Sequence, residues 1–128
     1  MSCCIPVSIG ELCDKYTILQ IKTQKITDIE KLDKVNTELK MLKPLLELYN
    51  VSNVLMENLK VINEELWNIE DTIRNKEYLK QFDSEFIEIA RSVYITNDKR
   101  FKVKSDINQL YNSNICEVKS YTEYFVKK

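Results

Sequence analysis

Apolar residues recur every three or four positions over most of the chain, which is the pattern of amphipathic helices. The first such stretch follows Pro6, where Ser8 and Glu11 match the Ser-x-x-Glu capping box that begins many helices. Its stripe consists of Ile9, Leu12, Tyr16, Leu19, Thr23 and Ile26, widened by Ile18 and Ile21. Asp28 and Ser52 are suited to cap a second and a third helix. We expect the first helix to pack against two neighbours, because its apolar face is wide.

The second and third helices are predicted from two regular stripes. The second stripe contains Leu32, Val35, Leu39, Leu42, Leu46 and Tyr49, and the third contains Leu55, Leu59, Ile62, Leu66, Ile69 and Ile73. Leu39 and Ile62 lie at equal distances from the intervening turn, as facing residues of an antiparallel hairpin do. The pattern therefore predicts an antiparallel coiled-coil hairpin with these two residues in contact. Pro44 is expected to kink the second helix or to end it near Lys43.

A fourth helix is predicted to begin at Asp83 or Ser84 and to reach about Asn112. Its apolar stripe is interrupted twice by polar residues, in the order Phe86, Ala90, Val93, Asn97, Lys104, Ile107 and Tyr111. The segments before and after the helices are predicted to be short extended tails. The sequence thus predicts one all-α domain over residues 1–128, an antiparallel bundle of about four long helices.

The composition favours helices and excludes several kinds of catalytic site. One glycine and two prolines supply few residues for tight turns, and one glycine cannot form a Gly-rich phosphate-binding loop. The absence of histidine excludes Ser-His-Asp and Cys-His catalysis as well as His-based metal sites. We therefore expect no cofactor and no zinc, and any general base must be Asp, Glu, Lys, Tyr or Cys.

The charge and the cysteines bear on the partners and the compartment. A net charge of −1 argues against nucleic-acid binding, although Lys99, Arg100, Lys102 and Lys104 form a local basic run. No apolar run approaches the roughly 18 residues that span a bilayer, and the N-terminus lacks the features of a secretory signal. Four cysteines without a CxxC pair are typical of reduced thiols. We therefore expect a cytoplasmic protein that binds neither membranes nor nucleic acid.

A stripe of polar residues follows the third and fourth helices and forms the main candidate site. It contains Asn63, Trp67, Glu70 and Arg74 on one helix and Arg91, Tyr94, Asn97, Asp98 and Phe101 on the other. An antiparallel register about residue 80 pairs Glu70 with Arg91, Trp67 with Tyr94 and Asn63 with Asp98. Such a stripe either fixes the register of two helices as a buried network or lines a pocket for an anionic or planar ligand.

Two further groups of polar residues are weaker candidates. Glu11, Asp14 and Lys15 begin the first helix, where capping and an ordinary ion pair between positions 11 and 15 also explain them. The acids Glu70, Asp71 and Asp98 leave a weak magnesium site open, because hard cations prefer oxygen ligands. The ordered acidic motifs of all-α nucleotide pyrophosphohydrolases are absent.

Four segments, PVSIGELCDKYTILQIK, ELWNIEDTIR, ARSVYITNDKR and EVKSY, resemble in this order a family of small proteins of unknown function from bacteria and large DNA viruses. The resemblance implies a helical protein, in the host cytoplasm if the chain is viral. Its motifs fall on Glu11, Leu12, Asp14, Lys15, Leu66, Trp67, Ile69, Glu70, Asp71, Arg74, Arg91, Tyr94, Asn97, Asp98, Arg100, Lys119, Ser120 and Tyr121. Pro44 and the Cys3–Cys4 pair depart from the family pattern. The resemblance adds weight to the polar positions without naming a reaction, and a register network as well as a ligand site would account for it.

Two functions from different classes remain open. The first is a non-catalytic helical interaction module that binds a protein partner or a second copy of itself, because wide apolar helix faces commonly need a partner. The second is a small-molecule-binding protein or an all-α enzyme that uses the polar stripe of Glu70, Arg91, Tyr94 and Asp98 for an anionic or nucleotide-like ligand.

Overall fold

Residues 1–124 are described by a computed structural model of the chain. Its helices are α1 (Ile9–Lys25), α2 (Ile29–Tyr49), α3 (Asn53–Tyr78) and α4 (Ser84–Leu110). The segments before α1 and after α4 contain neither helix nor strand up to residue 124. The predicted all-α bundle with irregular tails is confirmed. None of the helices in the described range is long and apolar enough to cross a membrane.

The helices begin where the capping residues predicted. The side chains of Ser8, Asp28 and Asp83 each accept a hydrogen bond from the backbone amide three residues later, at distances of 2.9–3.0 Å. Ser52 is the N-cap of α3 without such a bond, and its own amide instead donates to the Tyr111 hydroxyl at 2.6 Å. The cap of α3 therefore fastens the α2–α3 turn to the end of α4.

Helix α2 continues through Pro44 to Tyr49, so the alternative of a helix that ends near Lys43 is wrong. Pro44 removes one amide donor from the helix, but both Pro44 and Lys40 are exposed, where water can satisfy the freed carbonyl group. The helix ends at Asn50, whose φ of 49° is the left-handed conformation common after the last turn.

Helix α1 lies at the centre of the bundle. The helix pairs with Cα atoms within 8 Å of one another are α1 with each of α2, α3 and α4, and α3 with α4. The predicted coiled-coil hairpin of α2 and α3, with Leu39 against Ile62, is therefore wrong, because α1 receives both stripes. An apolar stripe shows that a helix face is covered and does not identify the helix that covers it.

The fully buried apolar core is small. Its central cluster consists of Cys13 on α1, Leu59 on α3 and Ile107 on α4, each fully buried, with half-buried residues packed around it. Helix α2 contributes a single buried residue, Val35. Each of α2, α3 and α4 thus contributes one buried apolar residue, and the other buried residues of α3 and α4 are polar or charged.

The one glycine of the chain lies where α1 crosses α4. The Gly10 amide donates to Asn108 Oδ1 at 2.6 Å. A β-carbon at position 10 would lie 2.6 Å from the backbone oxygen of Lys104 and 2.9 Å from Asn108 Oδ1. Glycine is required here for close approach of two helices rather than for a turn.

Replacing Gly10 with alanine should lower the stability of the protein, although alanine has the higher helix propensity. Alanine normally stabilises a helix relative to glycine by about 0.5–1 kcal/mol. For Gly10→Ala we expect a net loss of about 1–3 kcal/mol, because the backbone of Lys104 cannot rotate away from the new methyl group. Urea unfolding of both proteins measures the difference, and a Gly10→Ala protein as stable as the original would contradict the close approach.

Candidate functional site

A buried carboxylate joins three of the four helices. Asp14 on α1 is 1% exposed. Its Oδ1 atom accepts hydrogen bonds from Asn63 Nδ2 of α3 at 2.9 Å and from Arg100 Nε of α4 at 2.8 Å. A terminal nitrogen of Arg100 donates to Asp14 Oδ2, which completes a bidentate ion pair. One side chain of α1 therefore binds donors from both α3 and α4.

A second cation extends this network to the C-terminal segment. Lys104 on α4 is buried, and its Nζ atom lies 2.7 Å from Glu11 Oε2 and 3.0 Å from Glu117 Oε2. It also lies 3.8 Å from Asp14 Oδ2. Glu11 thus binds Lys104 instead of closing the predicted capping box. We call Glu11, Asp14, Asn63, Arg100, Lys104 and Glu117 the polar network.

The two buried ionisable groups of the polar network, Asp14 and Lys104, are held in their charged forms by shifted pKa values. Burial by itself would raise the pKa of Asp14, but hydrogen bonds from Arg100 and Asn63 and nearby positive charges outweigh it and lower that pKa. Burial would lower the pKa of Lys104, but Glu11 and Glu117 raise it above its ordinary value. Neither group is therefore poised to exchange a proton near neutral pH.

The Cys13 thiol beside the network is inactivated by its surroundings. Burial, followed by the negative charge of Asp14, raises the pKa of Cys13 to about 12. A thiol with this pKa is almost wholly protonated at neutral pH and is a poor nucleophile. The other three cysteines are exposed, and none of the four is paired in a disulfide.

The orientation of the Asn63 amide follows from its neighbours. Its Nδ2 group donates to Asp14 Oδ1 and to Thr17 Oγ1, both at 2.9 Å. Because an ionised carboxylate only accepts hydrogen bonds, the NH₂ group must face Asp14, and Oδ1 must point away from it. None of the residues within 1–124 donates a hydrogen bond to Asn63 Oδ1. Within residues 1–124, every side-chain oxygen that is shielded from solvent has a hydrogen-bond partner. Because Asn63 Oδ1 has no such partner, solvent must reach it.

The pairing predicted for the polar stripe is wrong. Glu70 accepts from Arg74 Nε at 2.9 Å, one turn along α3, and Arg91 donates to Glu88 at 3.0 Å on α4. All four of these side chains are exposed, so no Glu70–Arg91 lock forms. Arg100 faces α1 in place of the neighbouring Asp98. A change of two positions rotates a helix face by about 200°, which explains why the paired residues separate.

A surface cleft between α3 and α4 brings several predicted residues together. It has a volume of about 390 Å³ and is lined by Ile18, Asn63, Leu66, Trp67, Glu70, Asp71, Arg74 and Arg100. We call it the α3–α4 cleft. Its inner end is formed by Asn63 and Arg100, so it lies directly against the polar network.

The remaining aromatic candidates lie at a second depression, between α4 and the C-terminal segment. Tyr94 meets Tyr124 edge to face at 5.2 Å, and the Tyr124 hydroxyl donates to Asp98. Lys119 Nζ lies 5.1 Å from the ring centre of Phe101 and 5.8 Å from that of Tyr121. The predicted stripe is therefore divided between two separate depressions on the surface.

The other predicted positions have ordinary surroundings. Lys15 forms an ion pair with Glu38 of α2 at 3.0 Å, and Asn97 accepts a long hydrogen bond of 3.5 Å from Arg100. Across residues 1–124, no group of three or more Cys, Asp or Glu side chains is arranged to hold a metal ion. Of the acids proposed for magnesium, Glu70 and Asp71 line the α3–α4 cleft, whereas Asp98 lines the other depression.

Two members of the polar network were not predicted as ligand positions: Lys104 and Glu117. The sequence contained a signal for Lys104, because a lysine at an inward position of an apolar stripe needs buried acidic partners. The basic run around it is also not one surface. Arg100 and Lys104 are turned inward, whereas Lys102 faces solvent and pairs with Asp106 at 3.6 Å.

Removing one partner of the buried ion pair should destabilise the protein. Arg100→Ala leaves the Asp14 carboxylate buried without its main counter-ion, so we expect a loss of about 3 kcal/mol in the free energy of unfolding. Asp14→Asn in the same chain removes the stranded charge and should restore part of that loss. The matched control is Arg91→Ala, which removes an exposed arginine of the same helix and should leave stability unchanged. Equal stability of the two single variants would contradict the buried pair.

Stability should also fall at both ends of the pH scale. The pKa of Asp14 is lowered by folding, so its contribution is complete above its ordinary pKa of 3.8 and is lost as pH falls through the folded value. The pKa of Cys13 is raised from 9.0 to about 12, so the unfolded chain ionises first and stability falls between these values. The raised pKa of Lys104 adds a loss above 10.5.

Urea unfolding over a pH series measures this profile. Cys13→Ala should remove the loss that begins near pH 9.0 and keep the acid loss due to Asp14. An alkaline profile that is unchanged in Cys13→Ala would show that the thiol is not the group responsible.

Comparison with known proteins gives a family and no function. A model of a family of unknown function, DUF6165, matches residues 3–126. No curated protein and no solved structure matches the chain. The match spans all four helices and every member of the polar network. The chain therefore belongs to the DUF6165 family.

Proposed function

We propose that this protein is a non-catalytic helical interaction module that works as a homodimer. The observation that carries this proposal is the large accessible surface, 9594 Å² for a chain of 15.2 kDa. A compact monomer of this mass exposes about 7,100 Å², so the chain exposes roughly 2,500 Å² more, part of it on the irregular segments before α1 and after α4. Burial of that excess in two copies corresponds to an obligate homodimer interface, which typically buries roughly 2,000–5,000 Å² in total.

The electrostatics of the polar network support a non-catalytic role. Its carboxylate and ammonium groups are paired with each other, and the pKa shifts of Asp14 and Lys104 move their titration away from neutral pH. A general acid or base works best with a pKa near the working pH, and these groups lack one. The network is instead suited to fix how α1, α3 and α4 pack.

The outer side of α2 and the adjoining tails offer the surface that best supports this proposal. Met41, Leu45 and Leu48 lie on one exposed face of α2, and Leu48 is 73% exposed. Beside them, a depression of about 440 Å³ is lined by apolar residues of three segments, among them Ile5, Val7, Leu45, Tyr49 and Ile115. We call this exposed surface the α2 face. A contiguous apolar surface of this kind is typical of a protein contact.

A second copy of the chain is the partner that these features favour. The α2 face is apolar, and among the four helices of the described range α2 has Cα atoms within 8 Å of α1 alone, so this face gains from being covered. A two-fold axis through such a helix places the same residues opposite each other, which suits an apolar face without charge complementarity.

Solution mass tests this proposal. Light scattering coupled to size-exclusion chromatography should give twice the 15.2 kDa chain mass for the original protein. Leu45→Glu with Leu48→Glu places carboxylates in the buried contact and should shift the mass to that of the single chain. The matched control is Ile87→Glu, which changes an exposed apolar residue of α4 outside the α2 face and should leave the dimer intact.

Circular dichroism of each variant shows whether its helices are retained. A single-chain mass for the original protein at high concentration would overturn self-association. A dimer that tolerates both α2 substitutions would place the contact on another surface and overturn the role of the α2 face.

A further inference from the structure

We infer that the α3–α4 cleft binds a planar heterocycle that presents an N–H group next to a carbonyl oxygen, as uracil and guanine bases do. The cleft is separate from the α2 face, so this inference does not depend on self-association. Its volume of about 390 Å³ lies within the roughly 300–1,000 Å³ range of small-molecule sites. Three residues support the inference: Asn63 as a hydrogen-bond acceptor, Arg100 as a donor and Trp67 as a stacking surface.

Asn63 supplies a hydrogen-bond acceptor at the inner end of the cleft. The residue is only 4% exposed, and both hydrogens of its amide face the polar network. Its Oδ1 atom receives no hydrogen bond from the residues of the described range and is open to the cleft side. A carbonyl oxygen that is held in place and reached by solvent alone can accept an N–H group from a ligand, which replaces the solvent there.

Arg100 supplies donors beside that acceptor. Its Nε group and one terminal nitrogen bind Asp14, and the other terminal nitrogen donates to Asn97 at 3.5 Å. Of the five N–H groups of a guanidinium, two remain after these three bonds. Asn63 and Arg100 both line the cleft and both bind Asp14 Oδ1, so the free acceptor and the free donors belong to neighbouring side chains. The complementary ligand edge is an N–H next to a carbonyl oxygen.

Trp67 supplies a flat apolar wall. It lies one helical turn beyond Asn63 on α3, about 6 Å further along the helix axis. Ile18 and Leu66 complete the apolar lining. Stacking on an aromatic side chain is favourable for every nucleobase and requires a planar ligand.

The mouth of the cleft selects against a phosphate group. Glu70, Asp71 and Arg74 line it, and Arg74 is already paired with Glu70. Both arginines of the lining are paired with an acid, Arg74 with Glu70 and Arg100 with Asp14, so Asp71 leaves a negative charge that disfavours an anion. The favoured ligand is therefore a free base or a nucleoside rather than a nucleotide.

Ligand binding is tested with uridine and guanosine as probes. Trp67 is the single tryptophan of the chain, so quenching of its fluorescence reports stacking in the cleft. We expect saturable quenching by both nucleosides and a matching heat in titration calorimetry. 3-Methyluridine and 1-methylguanosine replace the N–H with a methyl group and should bind at least about ten-fold more weakly.

Variants separate the cleft from the rest of the surface. Trp67→Leu should abolish the calorimetric signal, whereas Asn68→Leu, an exposed neighbour that points away from the cleft, should keep it. The use of methylated probes tests the polar edge without any change in the protein. Absence of quenching and heat with both nucleosides would overturn the site. Equal binding of methylated probes, or tighter binding of uridine 5′-monophosphate than of uridine, would overturn the proposed recognition.

Discussion

The burial of the Asp14 carboxylate is the constraint on which the arrangement of α1, α3 and α4 depends. An isolated charge in this position would cost many kcal/mol, so the chain must bring donors to it. Asn63 and Arg100 supply them from two different helices. Few relative positions of three helices satisfy both oxygens at once, and a shift of any one helix breaks at least one bond. A polar group thus specifies the register that a small apolar core would leave open.

Other features of the structure follow from this close packing. Lys104 lies one turn beyond Arg100, so Glu11 and Glu117 meet it on the same side of α4. The crossing of α1 and α4 is close enough that position 10 must be glycine. Helix α2 has no part in the polar network and one buried residue, Val35. Its exposed apolar face therefore belongs to the only helix that the network leaves out.

Local features of the fold were predictable, whereas long-range ones were not. The caps at Ser8, Asp28 and Asp83 follow from side chains that bond to the amide three residues later, so the sequence contains everything needed. The partners of the α2 and α3 stripes were assigned wrongly, because helices close in sequence were assumed to pack together. The predicted Glu70–Arg91 pairing was wrong for a related reason. The register was counted from the α3–α4 turn alone, whereas the buried Asp14 carboxylate of α1 fixes the positions of Asn63 and Arg100. Lys104 was recognisable as a charged residue within an apolar stripe. Its partners were not predictable, because Glu11 lies about ninety residues away in the sequence and Glu117 lies in the C-terminal segment.

The two interpretations of the polar residues, a register network and a ligand pocket, are compatible in this structure. Asn63 and Arg100 each have some polar groups that bind Asp14 and others that do not. Their inner groups bind Asp14, which fixes their positions, and their outer groups line the α3–α4 cleft. Binding loses less free energy to ordering when the polar groups of a site are already fixed. The buried ion pair would therefore serve the proposed ligand site by holding an acceptor and donors side by side, without touching the ligand itself.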